Sequence, residues 1–304
     1  MNSTTVHNKR QPMKLHTRRT LTAYAFLTIP LLFFLSIRIF PTLYAFSLSF
    51  MTQDHSSGTL DNYKQLLQDP VFWKSVLNTG LYVIVTVPLQ MAFGLIIALG
   101  IGRVRRFRWL YRMIYFLPYI TSIVAVSWVW RLMYDQNTGV FNQILTWLHI
   151  PPQGFLGDPS ESLLSVSAVM IWQAMGFSML IFMAGLEAVP KHFYEAAQID
   201  GASKWKMFWK ITFPLLNPTI VFLAVTGVIQ SLQSFTQIQN LTGGSAANAG
   251  GPLNSTLSIV VYMYKNAFTD FNMEYASAIT VVLFIIILLV TLIQLRILNK
   301  SYEY

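Results

Sequence analysis

Residues 195–218 read EAAQIDGASKWKMFWKITFPLLNP and separate two long apolar segments. The stretch is polar, carries charges of both signs, and has the pattern of two short helices on either side of Gly201. Pro190 suits a first helical turn, because its φ is fixed and its missing N–H would be unpaired there anyway. Gly201 is the preferred residue for a left-handed cap, and Ser203 is a good N-cap for the second helix. The pattern predicts a folded loop on which another protein can act.

The composition of the chain indicates a membrane protein. Of its 304 residues, 54% are hydrophobic and only 11% are charged, whereas soluble domains carry about 25% charged residues. Apolar windows of roughly 20 residues, the length needed to span a bilayer as a helix, recur along the chain. They are continuous rather than alternating, which argues against a transmembrane barrel. The sequence therefore predicts an all-α polytopic membrane protein. Because the chain has no cysteine, disulfides and thiolate metal sites are excluded.

We predict six transmembrane helices in one domain. Residues 1–20 are predicted to be a cytoplasmic tail, and residues 21–304 a single transmembrane domain that contains the loop 189–212. The predicted spans cover residues 21–40 (extending towards residue 50), 76–102, 110–134, 163–188, 215–239 and 275–298.

The distribution of charge predicts the orientation of these spans. Sixteen of the 21 basic residues lie before residue 21, in the segments 103–112 and 189–212, or after residue 295, whereas eight of the 12 acidic residues lie in the alternate segments. Because basic residues accumulate in cytoplasmic loops, both termini and these two loops are predicted to be cytoplasmic. The net charge of +9 thus reflects topology, and no nucleic acid is expected as a partner.

The loop resembles the EAA motif of permease subunits of ABC importers. That motif has Glu-Ala-Ala, two residues, Asp-Gly-Ala, and then a downstream Phe, Ile and Pro. The matching residues are Glu195, Ala196, Ala197, Asp200, Gly201, Ala202, Phe208, Ile211 and Pro214. The resemblance runs from the second span to the C-terminus and is greatest to carbohydrate permeases of the maltose and glycerol-phosphate type. It implies the importer permease fold and import of a sugar or oligosaccharide across the cytoplasmic membrane of a bacterium or archaeon.

In that family the loop docks the cytoplasmic ATPase. The resemblance assigns docking to Glu195, Ala196, Ala197, Asp200, Gly201 and Ala202. The alanines allow close approach in a groove of the partner, Glu195 offers a charge to a basic residue, and Asp200 braces the bend. The resemblance also implies the partners: a second homologous permease, an ABC ATPase dimer and an extracytoplasmic solute-binding protein. A small carbohydrate and the lipid bilayer complete the expected interactions.

The sequence argues against enzymatic activity in this chain. It contains no Gly-Lys dipeptide and therefore no Walker A loop, so ATP must be bound by partner subunits. The sequence LTGGS at 241–245 resembles an ABC ATPase signature but lies on the predicted outer side, where we interpret it as a turn. No HExxH or GxSxG motif is present, and no catalytic, cofactor-binding or metal-binding residues are predicted.

Polar residues are concentrated in the predicted fifth span. Within a membrane such residues cost free energy unless they face a cavity or a partner. Amides and hydroxyls suit a neutral polyol, and aromatic rings stack on sugar rings. The resemblance places this stretch, together with part of the fourth span, along the transport cavity. The predicted pathway residues are Trp172, Gln173, Phe177, Gln230, Ser231, Gln233, Ser234 and Phe235. The alternative is that these side chains form hydrogen bonds between helices.

Two other functions are compatible with parts of the sequence. A permease for a phosphorylated polyol or an osmolyte would share the motif, although an anion would favour basic residues in mid-span and the sequence shows no such cluster. An ATP-independent secondary carrier would need intramembrane carboxylates. Glu187 is the nearest candidate, and it lies at the predicted cytoplasmic edge. The sequence also departs from the family at residues 245–250, an insert on the surface expected to face the binding protein.

Overall fold

The computed structural model describes residues 15–52, 58–104, 106–243 and 250–298, and its regular elements are helical. The insert at 245–250 lies outside these residues except for Gly250. The chain divides into two compact units, Met1–Leu48 and Ser49–Tyr304.

The first unit is one long helical run. Helix α1 (Leu15–Phe34) continues through a π-helical turn (Leu35–Ile39) into α2 (Phe40–Leu48). The segment Arg19–Leu48 is long and apolar enough to cross a membrane. The helix begins before the predicted span 21–40 and extends beyond it, because the turns on either side of that window are also compatible with a helix.

The second unit contains the remaining helices. Those before residue 189 are α3 (Asp61–Gln68), α4 (Pro70–Arg103), α5 (Arg108–Ile120), α6 (Ile123–Met133), α7 (Val140–Trp147) and α8 (Ser162–Ala188). Those after it are α9 (Lys191–Ile199), α10 (Lys204–Met207), α11 (Phe213–Leu215), α12 (Asn217–Leu232), α13 (Thr236–Thr242), α14 (Ile259–Phe268) and α15 (Met273–Leu298).

The number of spans agrees with the prediction, but two of them are broken. Four helical segments among the described residues are individually long and apolar enough to cross a membrane, and the number reaches six when each of two bent helix pairs is counted as one span. The predicted span 110–134 is not one straight helix, because α5 and α6 meet at an angle of 92°. Thr121 has an extended backbone there, and Pro118 in the preceding turn lacks the N–H needed to continue the helix ladder.

The predicted fifth span, residues 215–239, is not one continuous helix either. A bend of 62° separates the run Lys204–Leu215 from α12, at a point where Pro218 follows one residue after α12 begins. Helix α12 ends at Leu232, and α13 begins at Thr236. The intervening residues 233–235 are non-helical. The polar sequence that was predicted to lie in mid-span therefore lies around an interruption of the helix.

The second unit has two distinct ends. The loop end carries residues 189–212, the end of α4 and the start of α5. At the same end, Asn217 Nδ2 donates to the carbonyl of Leu298 (3.1 Å), which joins the start of α12 to the end of α15. At the opposite end α4, α8 and α15 begin, and the Tyr275 hydroxyl donates to Asp69 there (2.6 Å).

Small residues allow the central helices to pack closely. A Cβ on Gly94 of α4 would lie 2.6 Å from Ser178 Cβ and 2.9 Å from the backbone nitrogen of Met179 on α8. A Cβ on Gly176 of α8 would lie 2.0 Å from the carbonyl oxygen of Tyr115 on α5. Such backbone approaches are typical of membrane helices, which associate by close packing. Helix α8 is therefore the central element, in contact with α4 and α5.

Candidate functional site

The loop between α8 and α12 begins with α9, whose end has the predicted cap. Gly201 has a φ of +71°, the left-handed conformation that glycine adopts at no steric cost. The N–H of Gly201 bonds to the carbonyl of Gln198 (3.1 Å), and the N–H of Ala202 bonds to that of Ala197 (2.8 Å). This pair of bonds is the Schellman motif. The end of α9 is therefore fixed by its own backbone.

The second helix of the loop begins at the predicted residue and continues as a π-helix. The Ser203 hydroxyl accepts from the N–H of Lys206 (3.3 Å), which confirms the N-cap. The chain then forms a π-helical segment, Phe208–Thr212, which shifts the side chains that follow. Thr212, seven residues after the exposed Trp205, consequently does not share its exposed side of the helix. It is buried, and its hydroxyl lies 3.0 Å from that of Tyr194, so that this contact joins the two helices of the loop.

Most of the predicted docking residues lie on the surface of this loop. Glu195, Ala196, Asp200 and Gly201 are exposed, and Ala197 and Ala202 are partly buried. Two large apolar side chains accompany them: Ile199 is 87% exposed and Trp205 is 72% exposed. Ile199 was not among the predicted residues. Its signal in the sequence is an apolar residue directly before the Asp-Gly pair that ends the helix.

The break between α12 and α13 is stabilised by a contact from a distant part of the chain. The Ser258 hydroxyl donates to the carbonyl of Ser234 (2.9 Å). A backbone carbonyl outside a helix needs such a partner when it is buried, and Ser234 is only 5% exposed. The break is therefore stabilised by a specific contact, and three predicted pathway residues, Gln233, Ser234 and Phe235, form it.

One face of α12 carries exposed polar side chains up to this break. Gln230 and Gln233 are exposed and Thr226 is partly exposed, and their spacing of three and four residues places them on one side of the helix. In a membrane-spanning chain, exposed amides are expensive unless they face water or a partner. This uncharged stripe can donate and accept hydrogen bonds.

Two buried polar groups lie in the same region. Gln173 of α8 is 4% exposed, and its Oε1 lies 3.5 Å from Gln237 Nε2. Gln173 Nε2 and Ser234 Oγ are buried and have no hydrogen-bond partner among the described residues. Buried polar groups are normally satisfied, so these two atoms can bind a polar ligand or water.

The remaining predicted pathway residues contact other helices. Ser231 is 3% exposed and shares a hydroxyl contact with α4, whereas three aromatic residues pack against other rings. The contacts are Ser231 Oγ with Thr86 Oγ1 (3.4 Å), Trp172 with Trp130 (centroids 5.4 Å apart), Phe177 with Tyr119 (4.9 Å) and Phe235 with Tyr264 (4.8 Å). For Ser231 this geometry matches the alternative of helix–helix hydrogen bonding.

Most of the chain matches a known protein family. Residues 90–304 match the family described as the binding-protein-dependent transport system inner membrane component. The chain belongs to this family. It is thus a multi-pass membrane permease, a class of transport proteins.

Individual relatives agree with this assignment. The permease is 35% identical over 289 residues to the probable ABC transporter permease protein YesP of Bacillus subtilis, covering 93% of this chain and 91% of that one. It is 34% identical over 242 residues to the lactose transport system permease protein LacF of Rhizobium radiobacter, covering 78% and 79%. A crystal structure of a bacterial alginate ABC transporter contains a chain of the same fold, with a TM-score of 0.82, 24% identity, and coverage of 94% and 98%.

The permease also contains a set of hydrogen bonds that the sequence analysis missed. One face of α4 holds the segment 254–259 at the opposite end. Asn78 Nδ2 donates to the carbonyls of Asn254 (2.8 Å) and Leu257 (3.1 Å). The remaining bonds run from the Tyr82 hydroxyl to the carbonyl of Thr256 (3.2 Å) and from the N–H of Ile259 to Thr79 Oγ1 (3.0 Å). The available signal was an Asn-Thr pair inside an apolar span.

A carboxylate connects three helices at the opposite end of the permease. Asp69 caps α4, accepting from the N–H of Val71 (2.8 Å), and also accepts from the hydroxyls of Tyr262 and Tyr275. Burial alone would raise the pKa of this carboxyl, but the hydrogen bonds from the two tyrosines and the backbone outweigh it and hold the pKa below its ordinary value. Asp69 is therefore a structural anion that links α4, α14 and α15.

Proposed function

We propose that this chain is the membrane-spanning permease of an ABC importer for a neutral sugar or oligosaccharide, driven by ATP hydrolysis in partner subunits. Membership of the family supports the transport role. The substrate class is supported by relatives such as the lactose permease and by the uncharged stripe on α12, where Gln230 and Gln233 can bind hydroxyl groups. An anionic substrate would instead favour basic side chains at this position.

The observation that carries the proposal is the shape and exposure of the loop 189–212. Its helices are fixed by the Gly201 cap and by the contact of Tyr194 with Thr212. Glu195 and Ala196 are exposed, and Ile199 adds an unburied apolar side chain. A rigid loop with a charged and apolar surface is suited to docking a partner. We assign that role to an ABC ATPase.

The proposed assembly follows from this docking surface. The loop end of the second unit faces the cytoplasm, in agreement with its excess of basic residues, and we assign both chain termini to the cytoplasmic side of the membrane. The chain pairs with a second, homologous permease and with two ATPase copies, and an extracytoplasmic binding protein delivers the sugar to the opposite end. Closure of the ATPases moves the loop, and the polar face of α12 is exposed alternately to the two sides of the membrane.

Substrate passage is assigned to the surface around the break at residues 233–235. Gln230 and Gln233 face away from the core of this chain, and Gln173 Nε2 and Ser234 Oγ supply further hydrogen-bonding groups. Trp172, Phe177, Ser231 and Phe235 support this surface through their packing contacts. A sugar would exchange hydrogen bonds with water for bonds with these amides and hydroxyls.

Copurification tests the docking role directly. The tagged chain is extracted in mild detergent, and the proteins that copurify are identified by mass spectrometry, for the wild type and for Glu195→Lys. We expect an ABC ATPase and a second permease with the wild type, and loss of the ATPase with the variant. Asp270→Lys is the matched control, because Asp270 is an exposed acidic residue at the opposite end. This control is expected to retain the ATPase.

The same preparation distinguishes the proposal from its main alternative. If the wild-type chain purifies as a folded protein without an ATPase, and transports in vesicles without ATP, it is a self-sufficient carrier and the proposal is wrong. If the ATPase is present but the Glu195→Lys variant retains it fully, the importer assignment stands and the role of Glu195 is refuted.

A further inference from the structure

A group of three charged side chains at the loop end connects α5 to α8. Arg108 Nη2 and Arg112 Nη2 lie 3.0 Å and 2.8 Å from the same oxygen of Glu187, Oε1. Glu187 lies in the last turn of α8, three residues before Pro190, where the loop begins. The two arginines lie one turn apart at the start of α5, which leads to the bend of 92° with α6.

The placement of these charges is not explained by the helices that carry them. A carboxylate at a helix C-terminus and cations at a helix N-terminus both oppose the dipole of their own helix. Because α5 and α8 are antiparallel, the arginines lie beside the C-terminus of α8 and the carboxylate lies beside the N-terminus of α5. Each charge is therefore stabilised by the dipole of the neighbouring helix and not by that of its own. The three charges therefore serve the contact between α5 and α8.

The contact is also incompletely satisfied. An arginine binds a carboxylate best through two parallel N–H···O bonds, yet here each guanidinium reaches Glu187 through one nitrogen. The Nε atoms of Arg108 and Arg112 are both buried without a hydrogen-bond partner among the described residues. One carboxylate can form a two-point contact with either arginine but not with both. The cluster thus has two alternative arrangements that are each better satisfied than the shared one.

A fixed point lies further along the same pair of helices. The backbones of α5 and α8 touch at Gly176, where even a Cβ would lie 2.0 Å from the Tyr115 carbonyl oxygen. Glu187 is eleven residues further along α8, or about 16 Å at the rise of a helix. A small rotation about Gly176 therefore changes which arginine is nearer to Glu187.

We propose that Glu187 is a positioning residue of the transport cycle, which alternates between Arg108 and Arg112 as α5 rocks against α8. Because Glu187 directly precedes the loop, the alternation transmits movement of the loop to the α5–α6 segment. This inference rests on the proposed function for its role in transport, but the alternation itself is a property of this chain alone. Small rotations of packed helices against each other are a known kind of switching transition.

Distance measurements between two spin labels test the alternation. The chain contains no cysteine, so Trp109→Cys and Ala188→Cys, both at exposed positions, provide unique labelling sites beside the cluster. The pair is measured by pulsed electron paramagnetic resonance in the wild-type background and with Arg108→Gln, Arg112→Gln or Glu187→Gln. Lys64→Gln is the control, because it removes an exposed ion pair with Asp61 at the opposite end.

Removing either arginine leaves Glu187 with only one arginine as an ion-pair partner. We expect Arg108→Gln and Arg112→Gln to shift the mean distance in opposite directions, each by about 3 Å, half of the ~6 Å between residues four apart on a helix. Glu187→Gln is expected to broaden the distribution, and Lys64→Gln to leave it unchanged. A purely structural ion pair would give shifts of the same sign for both arginine variants, and that result, or no shift in either, overturns the inference.

Two further measurements separate the possible failures. If a glutamine variant does not fold, Arg108→Lys and Arg112→Lys keep the charge but lose the planar fork, and shifts of the same opposite signs are expected. The distances are measured whether or not an ATPase copurifies, so failure of the importer assignment leaves the test intact. Where the ATPase is present, trapping with ADP and vanadate is expected to move the label distance in the wild type towards the distance found in one of the two arginine variants. An unchanged distance refutes the role of Glu187 in the transport cycle.

Discussion

Replacement of Gly201 gives a prediction whose magnitude follows from the structure. Gly201 has a φ of +71°, and no atom lies within 4 Å of a Cβ built at this position. A side chain therefore meets open space, and the cost of substitution is only that of the left-handed backbone. For an ordinary L-residue this cost is about 1–2 kcal/mol. Asparagine adopts this conformation more readily than other residues, so that Gly201→Asn is the matched control.

The expected effect is on docking rather than on folding. We assume that the ATPase binds only the form of α9 that has the left-handed cap. The free energy needed to form that cap, about 1–2 kcal/mol, then lowers the affinity of the ATPase for the permease by a factor of roughly 5–30. Affinity is measured by titrating the purified ATPase against the detergent-solubilised permease complex. The affinity is expected to be highest for the wild type with Gly201 and to decrease in the order Asn, Ala and Val, since Val is β-branched. The thermal unfolding midpoint is expected to stay close to that of the wild type, because this residue lies outside the buried core.

Equal affinities for the Gly, Ala and Val forms would refute this reasoning, because they would show that docking does not need the cap. A loss of affinity with Asn as large as with Val would also refute it, since the effect would then follow side-chain size rather than backbone conformation.

Three further predictions concern stability, measured as thermal unfolding in detergent. Gly176→Ala places a Cβ against the Tyr115 carbonyl and is expected to destabilise the protein by about 1–3 kcal/mol through overpacking. Asn78→Ala leaves the carbonyls of Asn254 and Leu257 without their donor, at a cost of about 1–3 kcal/mol. Because the folded-state pKa of Asp69 is lowered, its stabilisation is present above the unfolded-state value of about 4 and is lost as the pH falls through the folded-state value. Asp69→Asn is therefore expected to be less stable at pH 7 and to lack this acid-dependent loss.

Matched variants control for these effects. Gly80→Ala, on α4 with no atom within 4 Å of its Cβ, is expected to be neutral or to stabilise by up to about 1 kcal/mol. A loss as large as that of Gly176→Ala would contradict the packing argument. Tyr262→Phe removes one of two tyrosine donors to Asp69 and is expected to reduce the acid-dependent loss without abolishing it. An unaltered pH profile in Asp69→Asn would assign that loss to other carboxyls.

The parts of the fold that the sequence predicted are those with local causes. Gly201 and Ser203 act on residues within one helical turn, so that the caps they form could be read from the residue types alone. The number of spans followed in the same way from the length of the apolar windows, and Gly185, Gly176 and Gly94 lie within such windows without interrupting them.

The breaks in the third and fifth spans were missed because hydropathy averages over the residues that cause them. The bend at Thr121 leaves the window apolar, and the break at Ser234 exists because Ser258, 24 residues away, satisfies its carbonyl. The clamp formed by Asn78 could not be predicted either, since its partners are backbone atoms nearly 180 residues further along the chain. The pairing of Glu187 with two arginines likewise depends on packing between α5 and α8.

The hydrogen bonds around residue 256 have a consequence for how this surface can vary between related proteins. The Thr256 hydroxyl meets that of Thr242 (3.2 Å), and its N–H bonds to the carbonyl of Gly250 (2.9 Å), while Asn78 and Tyr82 fix the following turn to α4. Both stems of the connection are therefore anchored independently of what joins them. Insertions and deletions between these stems can accumulate without disturbing the membrane helices, since lengthening a closed loop costs little free energy. The connection from residue 243 to residue 250 is thus a position where the length of the chain can evolve independently of the membrane fold, at the end to which the binding protein is proposed to deliver the sugar.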